Sequence, residues 1–294
     1  MLWAAVGSAL AGRPAWAEPI AGRLVFASSQ SGNWDLWIMD GDSRNLRQLT
    51  RTEADERSPA WSPDGTQIAY ADNRGHLWLT DTGGSQRRQL AATVPGADQP
   101  DWHPTGSRLA FVSFVAKPAE DSDLWEVSLK DSGPPRKVVA SPRVESHPRW
   151  SPDGRALLYS LFHRDPQNRV VEELWLASVA DGGRERQLTE NGKQNYQARW
   201  SPDGKTIVFT SNAAGSYDLW LLGVETGALK QLTVSQSMDT EPCWSPRGDR
   251  LAFVSTRTGA AQLWIMNADG TDQRPLTVGK HDVRSPDWSI PPEP

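Results

Sequence analysis

Aspartate is the residue whose recurrence first suggests chemistry. It stands in the frame W-S-P-D-G at Asp64, Asp153 and Asp203, and a carboxylate repeated on one scaffold could ligate a cation or carry a proton. Two looser copies of the frame hold Thr105 and Arg247 at that position, so no carboxylate is required there. Asp-Gly between two apolar runs is a hairpin signal, because Gly supplies the positive φ of a tight turn. Histidine is the other metal-capable set: His76, His103, His147, His163 and His281. No H-x-H or H-x-x-x-H spacing holds two of them together, so neither a metal site nor any other cofactor is expected. The nucleophile elbow G-x-S-x-G is also missing, and no helix-bearing segment remains to build a hydrolase. No catalytic residue is assigned, and the chain reads as a non-enzyme.

The repeated frame is explained by the elements that carry it. Its tryptophans are Trp61, Trp102, Trp150, Trp200, Trp244 and Trp288, spaced about 40–50 residues apart, a period that signals solenoids, propellers or arrays. Nine residues after each of the first five sits an aromatic: Tyr70, Phe111, Tyr159, Phe209 and Phe253. Leu-Trp runs such as DLWLLG follow, then QLT or a relative. These short, β-rich, turn-bounded segments read as four strands per repeat. Before the first W-S-P-D-G lie only RLVFASS, DLWIMD and LRQLT, matching strands two to four, and an orphan PDWSIP stands near residue 288. The expected fold is all-β: a closed six-bladed β-propeller with four-stranded blades, its first blade completed by the C-terminal strand.

In such a ring the first strand of each blade lines the central channel, and an unpaired strand edge invites an extended peptide. Residues that vary there are candidates. Glu56, Arg57, Asp98, Glu145, His147, Asn195, Tyr196, Asp239, Glu241 and Arg284 enter the strand, and Ala60, Asp101, Arg149, Arg199, Cys243 and Asp287 precede each tryptophan. Charges in an apolar strand need partners or water. They form either inter-blade ion pairs, such as Asp101 with Arg149, or a polar mouth that selects a peptide or carboxylate. The partner-binding set expected at the mouth and rim is His147, Arg149, Arg199, Tyr196, Asp101, Asp239, Glu241 and Trp34, the last as an exposed aromatic anchor. Two long connections, from Phe114 and from Leu161, would raise the rim on one side.

Composition narrows the partner. With 36 acidic against 31 basic residues the formal charge is −5, and no Lys/Arg cluster marks a nucleic-acid ligand. Twelve of the fifteen tryptophans belong to the repeat, so packing between blades accounts for them. Residues 1–17 carry a short apolar stretch ending in Ala15-Trp16-Ala17, an imperfect signal peptide pattern that points to export. Residues 18–294 then form a single domain. No other stretch is apolar enough to span a bilayer. Cys243, the one cysteine, reads as a buried inert thiol.

The unit SPAWSPDGTQIAY…LWLTD resembles the WD-like repeat of TolB-type propellers. The resemblance covers about residues 22–290, the propeller part only, without the α/β domain that precedes it in that family. It implies a periplasmic scaffold that binds a protein or peptide, with a peptidoglycan-associated lipoprotein or another envelope protein as partner; the chain itself is expected to be a monomer. The same repeat occurs in propeller lyases and in the propellers of serine peptidases. A lyase or hydrolase with a metal in the channel, or the gating propeller of a separate peptidase, is therefore the alternative.

Overall fold

The turns dictate the strands. In each full W-S-P-D-G copy the serine hydroxyl donates to the aspartate and accepts the main-chain N–H that opens the next strand. Ser151 Oγ lies 2.6 Å from Asp153 Oδ1 and 3.0 Å from Ala156 N, and Ser201 repeats this at 2.6 and 3.0 Å. Where the aspartate is replaced by Arg247, Asp249 takes its place against Ser245 at 2.7 Å. The motif is a turn lock.

The structure, a computed structural model, describes residues 20–114, 122–131, 133–141, 143–179 and 184–290. The signal-like pattern at 1–17 and most of the connection after Phe114 lie outside them. The first strands are β1 (Arg23–Ser28), β2 (Asp35–Asp40) and β3 (Arg47–Gln48). Then come β4 (Glu56–Trp61), β5 (Gln67–Asp72), β6 (Leu77–Asp81), β7 (Arg87–Leu90), β8 (Ala97–Trp102), β9 (Arg108–Phe114), β10 (Ser122–Ser128) and β11 (Arg136–Val139). They are followed by β12 (Val144–Trp150), β13 (Ala156–Arg164), β14 (Val170–Ser178), β15 (Glu185–Gln187), β16 (Asn195–Trp200), β17 (Thr206–Ser211), β18 (Asp218–Gly223) and β19 (Leu229–Gln231). The last are β20 (Asp239–Trp244), β21 (Arg250–Ser255), β22 (Gln262–Asn267), β23 (Arg274–Pro275) and β24 (Val283–Ser289).

Consecutive strands pair antiparallel into four-stranded meanders: β4 to β7, β16 to β19 and β20 to β23. Strands β8 to β11 and β12 to β15 are two more, fused by one parallel bridge between Ser122 and Val144. The remaining sheet has the order β24-β1-β2-β3, with Leu24 opposite Trp288. The first strands lie side by side in a cycle, β24 against β4, then β8, β12, β16, β20 and back to β24.

The core lies between successive sheets. Ala69 and Leu79 of one pack with Trp102, Leu109 and Phe111 of the next, and Leu24 and Phe26 pack with Cys243, Ala252 and Ile265. The aromatics of the second strands, Phe26, Tyr70, Phe111, Tyr159, Phe209 and Phe253, are at most 1% exposed, each contributing about 2–3 kcal/mol on burial. A threonine after the last strand closes four of the six meanders: Thr50, Thr189, Thr233 and Thr277 hydroxyls accept the N–H of Leu36, Leu174, Leu219 and Leu263 at 2.8–2.9 Å. The connection after Leu161 is not an open loop. It extends β13 and β14 to nine residues each, joined by a turn in which Arg169 N lies 2.8 Å from Asp165 Oδ1.

Candidate functional site

Every channel strand is interrupted at the same place. The ladder shifts between Arg57 and Ala60, Asp98 and Asp101, Ser146 and Arg149, Tyr196 and Arg199, and Thr240 and Cys243, and the β1–β24 ladder is bulged as well. At the bulge, three residues before each tryptophan, Ser58, Gln99, His147, Gln197, Glu241 and Ser285 take left-handed φ of 52–54°. For a residue with a Cβ this costs about 1–2 kcal/mol each, and such strain gathers at binding sites. Proline follows in five of the six, with Ala198 the exception. A bulge and a residue without N–H blunt a strand edge, so the channel wall presents side chains instead of a free ladder.

Those side chains surround a cavity of about 630 Å³ at one mouth. All six left-handed residues line it, together with Arg57, Asp98, Arg149, Arg199, Arg284, Trp34 and Phe114. They are linked from sheet to sheet. The Gln99 carbonyl oxygen accepts the His147 N–H at 2.6 Å, and Gln197 accepts that of Glu241 at 3.1 Å. Glu241 in turn accepts that of Ser285.

With its oxygen so engaged, Gln99 turns its amide nitrogen to His147 Nε2 at 3.3 Å. His147 therefore accepts at Nε2 and carries its proton on Nδ1, which donates to Ser146 Oγ at 3.0 Å. Ser146 donates onward to Glu172 at 3.2 Å. Burial, aided by the Arg149 and Arg199 charges, pushes the His147 imidazole down to about 3. Burial raises the Glu172 carboxyl to about 7, and it raises Glu241 as well.

Below the mouth, the residues preceding each tryptophan form a neck. Arg199 lies 3.3 Å from Asp287 and 3.9 Å from Asp101, which lies 3.8 Å from Arg149. The second oxygens of Asp101 and Asp287 accept the N–H of Trp150 and Trp61 at 2.7 and 2.8 Å. Burial lifts the Asp101 carboxyl to about 6 and lowers Arg149 to about 10, with Arg199 adding to the latter. A second cavity of about 310 Å³ opens on the far face beneath the repeat tryptophans, and Arg149 and Arg199 line both.

Of the residues expected at the mouth, His147, Arg149, Arg199, Glu241 and Trp34 line its cavity. Trp34 packs under the Arg284 guanidinium, 4.8 Å from the ring centre. Tyr196 stands beside the cavity in an aromatic row, 6.1 Å from His147 and 5.9 Å from Tyr217. Asp101 belongs to the neck and to the far cavity. Asp239 is fully buried and pairs with Arg257 at 2.5 Å within its own sheet. It is removed from the mouth set because that partner holds it inside the sheet. Gln99, Gln197 and Phe114 were not among the expected residues, although the X-Pro-x-Trp pattern marks the bulge that carries Gln99, and Gln197 stands at the same place three residues before Trp200. Among the described residues, no group of three or more His, Cys, Asp or Glu side chains could hold a metal ion.

A family model for the TolB beta propeller domain matches residues 76–228 and 148–292. The chain belongs to the TolB β-propeller domain family. It is 42% identical over 50 residues to a TolB homolog of Chlorobaculum tepidum, covering 17% of this chain and 12% of that protein. It is 27% identical over 138 residues to the Tol-Pal system protein TolB of Bordetella pertussis, covering 47% and 32%. These matches span a third or less of the relatives' length. Among solved structures, TolB from Acinetobacter baumannii superposes with a TM-score of 0.80 at 22% identity, over 92% of this chain and 67% of that one. An oligogalacturonate lyase in complex with manganese gives 0.61 at 20%, over 86% and 73%. At these identities both likenesses speak to the propeller fold alone.

Proposed function

We propose that this TolB-type propeller is a non-catalytic binding protein of the bacterial envelope. Residues 18–294 form a six-bladed ring closed by β24, reached in the periplasm after loss of residues 1–17. Its mouth holds an extended segment of a protein partner, with a peptidoglycan-associated lipoprotein or another Tol component as the candidate. The observation that carries this reading is the ring of six strained residues around the cavity. Their conformations are fixed before any ligand arrives, which lowers the ordering cost of binding. Because the wall lacks a free strand edge, recognition runs through Arg57, Gln99, His147, Gln197, Glu241 and Arg284, with Trp34 and Phe114 as apolar anchors.

The test is crosslinking of the tagged chain in its native envelope, followed by mass spectrometry, for the wild type and for Trp34→Ala with Arg57→Ala. Recovery of a Tol component from the periplasmic fraction, reduced about tenfold or more in a variant that still unfolds cooperatively, supports the reading. Recovery of nothing proteinaceous, or residence in the cytoplasm, refutes it.

A further inference from the structure

The neck holds two guanidiniums against two carboxylates, and Arg149 is the less well served of the two cations. Arg149 is 9% exposed, and its Nη1 donates to main-chain carbonyls, Pro148 at 2.8 Å and Pro100 at 3.5 Å. Its nearest carboxylate oxygen, on Asp101, is 3.8 Å away and is shared with Arg199 at 3.9 Å, both beyond hydrogen-bond range. The other Asp101 oxygen is committed to Trp150 N–H. Arg149 Nε has no partner. Arg199 is better served, with Asp287 at 3.3 Å. A buried guanidinium with an unpartnered Nε and a second guanidinium beside it is costly, and this one lines the floor of the mouth cavity.

We propose that Arg149 is the carboxylate receptor of the mouth, taking an acidic side chain or a free chain terminus of the extended segment that enters there. The inference rests on the mouth being a binding site. A planar fork of N–H donors in a desolvated position suits a carboxylate better than a spherical anion. The amides of Gln99 and Gln197, which line the same cavity, offer further polar contacts above it.

The test follows the Arg Nε–Hε resonances of the ¹⁵N-labelled full chain, with the Arg149 signal assigned through Arg149→Lys. The probes are tri-alanine with a free C-terminus, its C-terminal amide, N-acetyl-Ala-Glu-Ala amide and sodium chloride at matched ionic strength. A saturable shift of the Arg149 signal with a carboxylate-bearing probe, absent with the amide and with chloride, is expected. Whichever of the two carboxylate probes acts identifies the source as terminus or side chain. Arg149→Gln should weaken that probe about 10- to 100-fold, with Arg149→Lys in between. An unmoved Arg149 signal, an equal response to chloride, or undiminished affinity in a folded Arg149→Gln protein overturns the proposal. If Arg149→Gln does not fold, the wild-type titration and the Lys variant decide. Envelope capture with a silent Arg149 would sink this inference alone, and loss of both would sink the mouth reading with it.

Discussion

Replacing His147 with Asn should flatten the acid limb of the stability profile. The folded imidazole ionises only near pH 3 against an ordinary value of 6.5, because the site is desolvated and faces Arg149 and Arg199. Between those values the unfolded chain binds a proton that the folded one refuses. Stability is therefore lost as pH falls below 6.5. At pH 4.5 the gap is two pH units, or about 2–3 kcal/mol, and partial solvent access at the mouth trims this toward about 2. Asn tolerates the left-handed backbone and does not titrate.

The assay is urea unfolding of both proteins at pH 7.5 and 4.5. Asp101 and Glu172, whose pKa values are raised, act with the opposite sign. They add stability that is lost as pH rises through about 6 and 7, and they do so in both proteins, so the difference between the two pH differences isolates His147. Loss of the bonds to Gln99 and Ser146 lowers the variant at both pH values alike. The wild type should lose about 2 kcal/mol more than the variant on acidification. Equal losses, within about 0.5 kcal/mol, would mean that His147 titrates freely and that the desolvated, Arg-flanked picture of the mouth is wrong.

Three further outcomes are expected. Ala198→Pro completes the pattern of the other five channel strands and should raise stability by about 0.4–1 kcal/mol through the unfolded chain; a lower urea midpoint would show that the Ala198 N–H is needed. Asp153→Ala removes the acceptor for Ser151 and Arg155 N–H and should cost about 0.5–1.5 kcal/mol without altering envelope capture, since that turn lies away from the mouth cavity. Gly96→Ala would place a Cβ against the Phe114 carbonyl at φ +66° and should cost about 2 kcal/mol or more, read as a fall in melting temperature.

The repeat was legible because its signals are local. A tryptophan, an aromatic nine residues on, a Leu-Trp pair and a Q-L-T end each specify a strand, and the registers agree, as with Tyr70 opposite Trp78 and Phe209 opposite Trp220. The site was legible only in part, because a bulge disturbs the alternation by which strand faces are inferred. Glu241 and Asp239 stand two apart and read as equivalent, yet Glu241 sits at the bulge facing the cavity and Asp239 is held by Arg257. Four polar residues in the Asp239 position, Glu56, Glu145, Asn195 and Asp239 itself, are all 0% exposed. Asp101 and Arg149 meet in the neck, as the ion-pair alternative had it, at 3.8 Å, an ion pair without a direct hydrogen bond.

The pairing of Leu24 with Trp288 has a consequence for the chain as it is made. Five meanders pair strands that are neighbours in the chain, whereas β1 keeps an open edge until the distant strand that carries Trp288 reaches it. Until then the apolar face that will receive Trp288 is uncovered, and that edge is open to pairing with another chain.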